Sequence, residues 1–218
     1  MEDELNTVVS YDKGNKYERA SMRAINHKLL KSEGLFSLDF TYPEHLNPSA
    51  EVLAEMRRLI DECNHKYQDW GFKDPRTCFD YEVWASALPE HKIIAIHRSP
   101  EEVWLHYQRG SRKRLLSSLL NFPKRWCEHN EKILGYLEKA KVPFLVLNYE
   151  QFMTDPDEFK RLEKFVGHKL KDERDMTLYR NRSKNKNFMY CLMKFLAALH
   201  KKKAAEKIRQ QFDQYRRS

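Results

Sequence analysis

Short runs of hydrophobic residues mark the strands of this chain. Residues 92–97 and 143–148 are apolar at nearly consecutive positions, which is typical of parallel strands covered on both faces. Residues 71–73 (Gly-Phe-Lys) predict a further strand. It ends at Asp74-Pro75, because proline biases the residue before it toward an extended conformation. The pattern therefore predicts three short strands.

Hydrophobic residues at helical spacing predict helices around these strands. The predicted helices cover residues 15–31, 48–67, 77–88, 123–139 and 158–166, and a further helix starts at Pro100. The sequence Ser99-Pro100-Glu101-Glu102 is a capping box with proline at the first helical position, so this helix start is well marked. Strands that alternate with helices of about ten or more residues predict the α/β class, with a parallel sheet flanked by helices.

Residues 184–218 are predicted as a helical extension of a domain that spans residues 1–183. Apolar residues form a strong helical face over 188–199 and a thinner one over 205–215, which predicts one long helix or a helical hairpin. The strong face could cover the body of the protein or pair with a second subunit, so the oligomeric state stays open.

The positive charge of the chain falls in the same C-terminal segment. The net charge is +8, and residues 184–218 contain ten Lys or Arg and two Asp or Glu, while the remainder carries 30 residues of each sign. Nucleic-acid-binding surfaces concentrate basic residues, so this distribution argues against a body that binds nucleic acid. Residues 200–218 could contact nucleic acid or an acidic partner, or form a solvated helix face.

Cysteine usage and hydropathy restrict the class of protein further. Four cysteines lie far apart without a Cys-x-x-Cys pair, which predicts reduced thiols and neither a zinc site nor a disulfide framework. No apolar run has the length of a membrane span, and the first residues lack the basic and apolar regions of a signal peptide. We therefore expect a cytoplasmic protein without a metal site or a membrane span.

Charged residues follow the predicted strands at one edge of the sheet. Lys73 and Arg98 each end a strand, and Glu150 follows the strand at 143–148. Open parallel sheets bind ligands outside the carboxyl ends of their strands, and the helix that starts at Pro100 adds amide donors there. The sequence predicts a site for a polyanionic nucleotide. The alternative is that Lys73 pairs with an acid and Arg98 is a surface cation.

Three blocks of sequence follow one another in this region. They are WGFKDPRTCF, IIAIHRSPEEVWLHYQR and FLVLNYEQFMTDPDEFKRLEKFVG. In order and spacing they resemble the sulfotransferase family that uses 3′-phosphoadenosine 5′-phosphosulfate. The stretch DKGNKYERASMRAINHKLL is similar to the segment before the lysine strand in bacterial members. The resemblance covers about residues 11–167 and implies the P-loop NTPase-like fold of that family.

The resemblance implies roles for individual residues. Arg98 would bind the 3′-phosphate of the nucleotide, assisted by His106, where the family usually has serine. A histidine can still donate a hydrogen bond to phosphate, with a charge that depends on pH. Lys73 matches a lysine that lies close to the sulfuryl group in related tyrosylprotein sulfotransferases, where a fixed cation stabilises the charge of the transfer.

An acceptor hydroxyl also needs a base. Glu18 lies in the segment where the family often places its catalytic acid, and it is the predicted base, with His27 as the reserve. Glu18 also falls in the first turn of a predicted helix, where a carboxylate is favourable for electrostatic reasons alone.

One part of the family pattern is absent from the sequence. The family begins with a strand and a loop of the type Gly-x-x-Arg-Ser-Gly-Thr-Ser, whose amides bind the 5′-phosphosulfate. No such sequence occurs here, so we expect a fold without that first, central strand. In bacterial relatives the loop would lie upstream of Met1.

Three interpretations follow from the missing loop. The chain is a shortened form of an enzyme that transfers a sulfuryl group to a hydroxyl acceptor and leaves adenosine 3′,5′-bisphosphate. Alternatively, it is a reduced member that keeps the 3′-phosphate half of the site as a binding or interaction module. In the third interpretation, the basic C-terminal helix has replaced catalysis with a new partner. The sequence does not identify the acceptor.

Overall fold

The computed structural model describes most of the chain. The described residues are 19–33, 42–88, 90–100, 102–103, 115–174 and 188–217, without the side chains of 115–120 and 188–202. They group into two compact units, a first unit within residues 1–91 and a second unit within residues 92–218.

The first unit contains three packed helices in its described part. They are α1 (Ala20–Leu30), α2 (Ala50–Lys66) and α3 (Thr77–Ala87). Their apolar residues recur at helical spacing, so each helix turns one stripe inward. The core consists of Met22, Ile25, Leu29, Met56, Leu59, Ile60, Cys63 and Trp84. Burying one large apolar side chain of this kind contributes about 1.5–3 kcal/mol.

The predicted strand at residues 71–73 is wrong. Residues 71–74 have no regular secondary structure, and the sheet of the described residues contains only two other strands. An extended segment without a neighbouring strand cannot form a hydrogen-bonded ladder. Asp74 instead precedes α3: its carboxylate accepts the N–H of Arg76 at 2.8 Å, and its carbonyl accepts the N–H of Thr77 at 3.0 Å. Thr77 is therefore the first residue of α3, as the predicted helix over residues 77–88 has it.

The second unit contains a parallel pair of strands, as predicted. Strand β1 (Ile93–His97) pairs with β2 (Phe144–Asn148), so that Ile93 lies opposite Phe144 and His97 opposite Asn148. The middle of β2 is buried, which confirms its two-sided cover. β1 differs, because Ile94 and Ile96 on one face are 42% and 48% exposed.

Residues 100, 102 and 103 of the second unit are helical, and four further helices have described bounds. They are α4 (Leu115–Glu138), α5 (Tyr149–Thr154), α6 (Pro156–Val166) and α7 (Phe188–Arg217). The predicted start of α4 at Pro123 is wrong, since this proline lies inside the helix. An interior proline removes one hydrogen bond of the helix and its ring crowds the carbonyl four residues earlier. The helix nevertheless starts at Leu115, and four of the eight residues before Pro123 are leucine, a good helix former.

Capping residues set the ends of the short helices that follow β2. The side chain of Asn148 accepts the N–H of Gln151 at 3.1 Å and starts α5 directly after β2. Asp155 caps α6 in the same way. The end of α6 at Val166 is as predicted, and Gly167 after it adopts the left-handed conformation at φ 98°. Glycine is favoured at that position because it has no Cβ.

The C-terminal segment forms one long helix, which decides between the two predicted forms. α7 packs along α4 and against β2 within the second unit. Ile208 and Phe212 are almost completely buried, and the ring of Tyr215 meets that of Phe144 at 5.7 Å. The second half of α7 is therefore an anchored helix with one solvated face. The predicted domain boundary after residue 183 stays a prediction.

The described residues form a mixed α/β structure that is mostly helical, with a small parallel sheet of two strands. The α/β class is thereby confirmed at this level. Within the same residues, we find no helix that is both long and apolar enough to cross a membrane.

Candidate functional site

The predicted site residues lie in different parts of the chain. Lys73 is an exposed residue of the loop before α3 in the first unit, and Arg98 follows β1 in the second unit. His27 lies in α1. Glu18 and His106 lie outside the described residues, so their predicted roles stay predictions.

Arg98 lies between two carboxylates at the carboxyl end of β1. Its Nε donates to Glu150 at 3.1 Å, and its Nη2 donates to Glu102 at 3.5 Å. The guanidinium also lies over the ring of Tyr149, 4.5 Å from the centroid. The backbone carbonyl of Arg98 accepts from the indole N–H of Trp126 at 3.1 Å. Arg98 is thus held by both its side chain and its backbone.

The strand register explains this arrangement. Since His97 lies opposite Asn148, the next residues of the two strands, Arg98 and Tyr149-Glu150, leave the sheet side by side. The hydroxyl of Ser99 accepts the N–H of Glu102 at 3.4 Å, which turns the chain back toward Arg98. The predicted position of Arg98 and Glu150 at the carboxyl ends of parallel strands is confirmed.

The donors of Arg98 have a geometry that suits an oxyanion, but the two acidic residues around Arg98 disfavour a negatively charged ligand. Two guanidinium nitrogens already point at carboxylate oxygens, which is the geometry that phosphate oxygens also accept. However, two carboxylates surround one cation, and the Arg98 side chain is only 21% exposed. A phosphate would therefore have to displace the more exposed carboxylate, that of Glu150 at 27% exposure.

His97 lies directly behind Arg98 as a buried neutral histidine. Its ring stacks on Phe212 with centroids 4.5 Å apart and an interplanar angle of 6°. Burial lowers the pKa of His97 to about 4, and Asp213 opposes this shift only in part. The ring packs as an aromatic side chain and positions the end of β1 against α7.

A second set of charged groups surrounds the start of α3 in the first unit. The side chain of Asp74 is 1% exposed. Its carboxylate accepts the backbone N–H of Arg76 at 2.8 Å, and both of its oxygens accept from Nη1 of Arg76, at 3.0 and 3.3 Å. His27 approaches from α1, and its Nδ1 lies 2.9 Å from the hydroxyl of Ser32. Burial and then Arg76 lower the pKa of His27, while Ser32 and Asp74 act against this shift. His27 is therefore neutral at pH 7.

The end of α1 brings His27 and Ser32 together. Lys31 adopts the left-handed conformation at φ 51°, and the N–H of Ser32 donates to the carbonyl of His27 at 3.0 Å. This termination folds the chain back over the last turn. The neutral imidazole of His27 has the protonation state that a base requires.

Buried polar residues link α1 to α3 beneath this set. Asn26 accepts from the indole N–H of Trp84 at 2.7 Å and donates to the hydroxyl of Thr77 at 3.1 Å. Asp80 lies in α3, the helix of Thr77 and Trp84, and is fully buried. Burial and then the nearby Asp74 raise the pKa of Asp80 to about 8. The interior of the first unit thus contains one satisfied amide and one neutral carboxyl.

Sequence reasoning missed Arg76, Arg23 and Asp80. Arg76 belongs to the sequence Lys73-Asp74-Pro75-Arg76, but the strand predicted at residues 71–73 singles out Lys73 as the cation at a strand end. Arg23 and His27 are four residues apart in α1, which places them on one face. This spacing could have indicated Arg23, because His27 was already a candidate base. Asp80 gave no signal, because an acidic residue among the apolar residues of a helix is ordinarily solvent-exposed.

The described residues contain no group of three or more His, Cys, Asp or Glu side chains that could hold a metal ion. Comparison with protein-family models, with curated proteins and with solved structures found no match in any of the three. The resemblance to sulfotransferases therefore stays a prediction that rests on the sequence blocks.

Proposed function

We propose that this chain is a sulfotransferase-type protein that binds 3′-phosphoadenosine 5′-phosphosulfate and uses a hydroxyl compound as acceptor. The observation that supports the proposal is the parallel pairing of β1 with β2. It brings Arg98 and Glu150 together at the carboxyl ends of the strands, where open sheets bind nucleotides. Arg98 and His106 would bind the 3′-phosphate, and Lys73 would lie near the sulfuryl group.

The chemistry assigns one task to each of these residues. The nucleotide, when bound, supplies the sulfuryl group. Lys73 would stabilise negative charge on the oxygens of that group. Glu18 would take the proton of the acceptor hydroxyl, with neutral His27 as the alternative base. The product is adenosine 3′,5′-bisphosphate together with the sulfated acceptor.

A second candidate function has its own support. In the described arrangement two carboxylates neutralise Arg98, and the sequence has no Gly-x-x-Arg-Ser-Gly-Thr-Ser loop. Of the two interpretations without catalysis, this arrangement favours the one in which a new partner has replaced the nucleotide, over the one that keeps the 3′-phosphate half of the site. Arg98 would then join the ends of β1 and β2 and bind no phosphate. The chain would be a catalytically reduced binding or interaction module, with acidic partners or nucleic acid at the exposed face of α7.

Calorimetric titration with adenosine 3′,5′-bisphosphate separates the two candidates. We expect Arg98→Ala to weaken binding by about tenfold to a hundredfold, the range of a hydrogen bond to a charged group. Arg161→Ala is the matched control. Arg161 is also half-buried and pairs with a carboxylate, that of Glu158 at 2.7 Å. It lies near the amino end of β2, away from the carboxyl end where Arg98 lies. Equal binding by all three proteins would contradict the role of Arg98.

Glu150→Gln sharpens this experiment. The amide keeps the size of the side chain and removes the charge that competes with phosphate, so the proposal expects tighter binding. The reduced-module candidate expects no binding by the wild type and none by the Gln variant. Circular dichroism of each variant checks that the fold is retained.

A further inference from the structure

An open hollow of about 350 Å³ lies along α1 in the first unit. We name it the α1 hollow; it is lined by Ala20, Arg23, Ala24, His27, Glu33 and Arg76. Four of these residues fall on one stripe of α1, at spacings of three and four. The two alanines make room, and charged groups of both signs surround the space.

Arg76 is held in place and still has donors to offer. Its Nη1 donates to both carboxylate oxygens of Asp74, at 3.0 and 3.3 Å. Within the described residues its Nε and Nη2 make no hydrogen bond. These two nitrogens form one of the edges at which a guanidinium binds a carboxylate through two parallel hydrogen bonds. Asp74 therefore fixes the plane of an arginine whose other edge remains available.

Two groups that accept hydrogen bonds line the same hollow. His27 uses Nδ1 toward the hydroxyl of Ser32. Its Nε2 has no partner in the described part of the chain. When Nδ1 carries the proton and donates to Ser32, Nε2 of the neutral ring is an acceptor. Glu33 is an exposed residue that also lines the hollow, and its carboxylate is a second acceptor.

We propose that the α1 hollow binds a small carboxylate that also carries a hydroxyl group. Arg76 and Arg23 bind the carboxylate, and His27 or Glu33 accepts the hydrogen bond of the hydroxyl. The charges of Arg23 and Arg76 balance those of Asp74 and Glu33, so a planar monoanion suits the hollow better than a phosphate dianion. Binding of this ligand does not depend on the proposed function.

The test uses 3-hydroxybutanoate as probe, followed by NMR titration in the absence of nucleotide. The matched neutral probe is 3-hydroxybutanamide, which has the same shape without the charge. We expect the carboxylate to bind at least about tenfold more tightly than the amide. We expect a loss of similar size in Arg23→Gln and in Arg76→Lys, which keeps the charge of Arg76 and removes its planar edge.

Arg58→Gln is the control variant, because Arg58 is an exposed residue of α2 that pairs with Glu62 outside the hollow. It should bind the probe like the wild type. Equal binding of carboxylate and amide, equal loss in all three variants, or tighter binding of inorganic phosphate would overturn the proposal. Nucleotide binding through Arg98 is measured separately, so failure of the α1 hollow and failure of the nucleotide site are distinct results.

Discussion

Asp80 is a buried carboxyl group in α3 without a hydrogen-bond partner for either oxygen among the described residues. An unpaired buried charge is strongly unfavourable, so the group keeps its proton instead. Its pKa of about 8 compares with an ordinary value of 3.8. At pH 7 the first unit therefore contains a neutral, buried acid in α3.

The proton of Asp80 makes stability depend on pH. Its contribution is fully present below about pH 4 and is lost as the pH rises toward about 8, because the unfolded chain releases this proton much earlier. The free energy of unfolding falls there by up to about 1.4 kcal/mol per pH unit. We expect Asp80→Asn to remove this slope, and to be more stable than the wild type at pH 8 by at least about 1 kcal/mol.

Urea unfolding at several pH values measures the effect. Asp61→Asn, at an exposed position of α2, is the control and should keep the wild-type slope. His97 gives the opposite trend between about pH 4 and 6.5, since burial lowers its pKa. The difference between wild type and Asp80→Asn isolates the carboxyl. Parallel curves for the two proteins would show that Asp80 is ionised in the folded state.

At the scale of elements, the sequence predicted the strands and helix ends that depend mainly on the residues of the segment itself. The runs at 92–97 and 143–148 became β1 and β2 because both are apolar and pair with each other. Gly167 ends α6 as expected, since that end depends on one glycine. The stretch at 71–73 failed because a strand needs a partner, and its own residues do not reveal whether one exists.

In the candidate site, too, some features could be predicted from the sequence and others could not. The position of Arg98 after β1 and of Glu150 after β2 followed from the sequence, because parallel strands bring their carboxyl ends together. The pairing of Arg98 with Glu102 and Glu150 did not follow, since side-chain contacts depend on packing in three dimensions. The pairing of Arg76 with Asp74 was not predicted either. It belongs to the start of α3, and the sequence pattern there predicts a strand that ends at Asp74.

The last turns of α7 are expected to be essential for the second unit. Phe212 is 1% exposed and stacks on His97, so its removal would leave a cavity behind β1. We expect Phe212→Ala to lower the free energy of unfolding by about 3–5 kcal/mol, as for other buried phenylalanines. Urea unfolding measures this loss.

Gln214→Ala is the control for that variant, because Gln214 is an exposed residue on the same turn of α7. It should change stability by less than about 0.5 kcal/mol. Similar stabilities for Phe212→Ala and Gln214→Ala would contradict the anchoring of α7. That result would favour an extension that is separable from the rest of the chain.

At the scale of the whole molecule, α7 contributes both positive charge and buried core residues. The net charge of +8 falls within residues 184–218, yet Arg216 in this segment lies 3.5 Å from the buried carboxylate of Glu158. Deleting the helix would therefore remove core residues together with charges. Substituting only its exposed cations separates these two effects.

We expect the exposed cations of α7 to control binding to polyanions. The triple variant Lys203→Gln, Lys207→Gln and Arg217→Gln removes three exposed positive charges from α7. It should elute from immobilised nucleic acid at lower salt than the wild type, because each lost phosphate contact reduces the salt dependence of binding. Salt-gradient chromatography measures this change.

The matched control removes the same net charge elsewhere. Lys132→Gln, Lys139→Gln and Lys141→Gln alter exposed lysines in and after α4, where acidic residues balance the basic ones along the sequence. If retention depends on a local field, this variant should elute close to the wild type. Equal shifts for both triple variants would mean that retention follows net charge alone, and α7 would then have no special role in binding a polyanion.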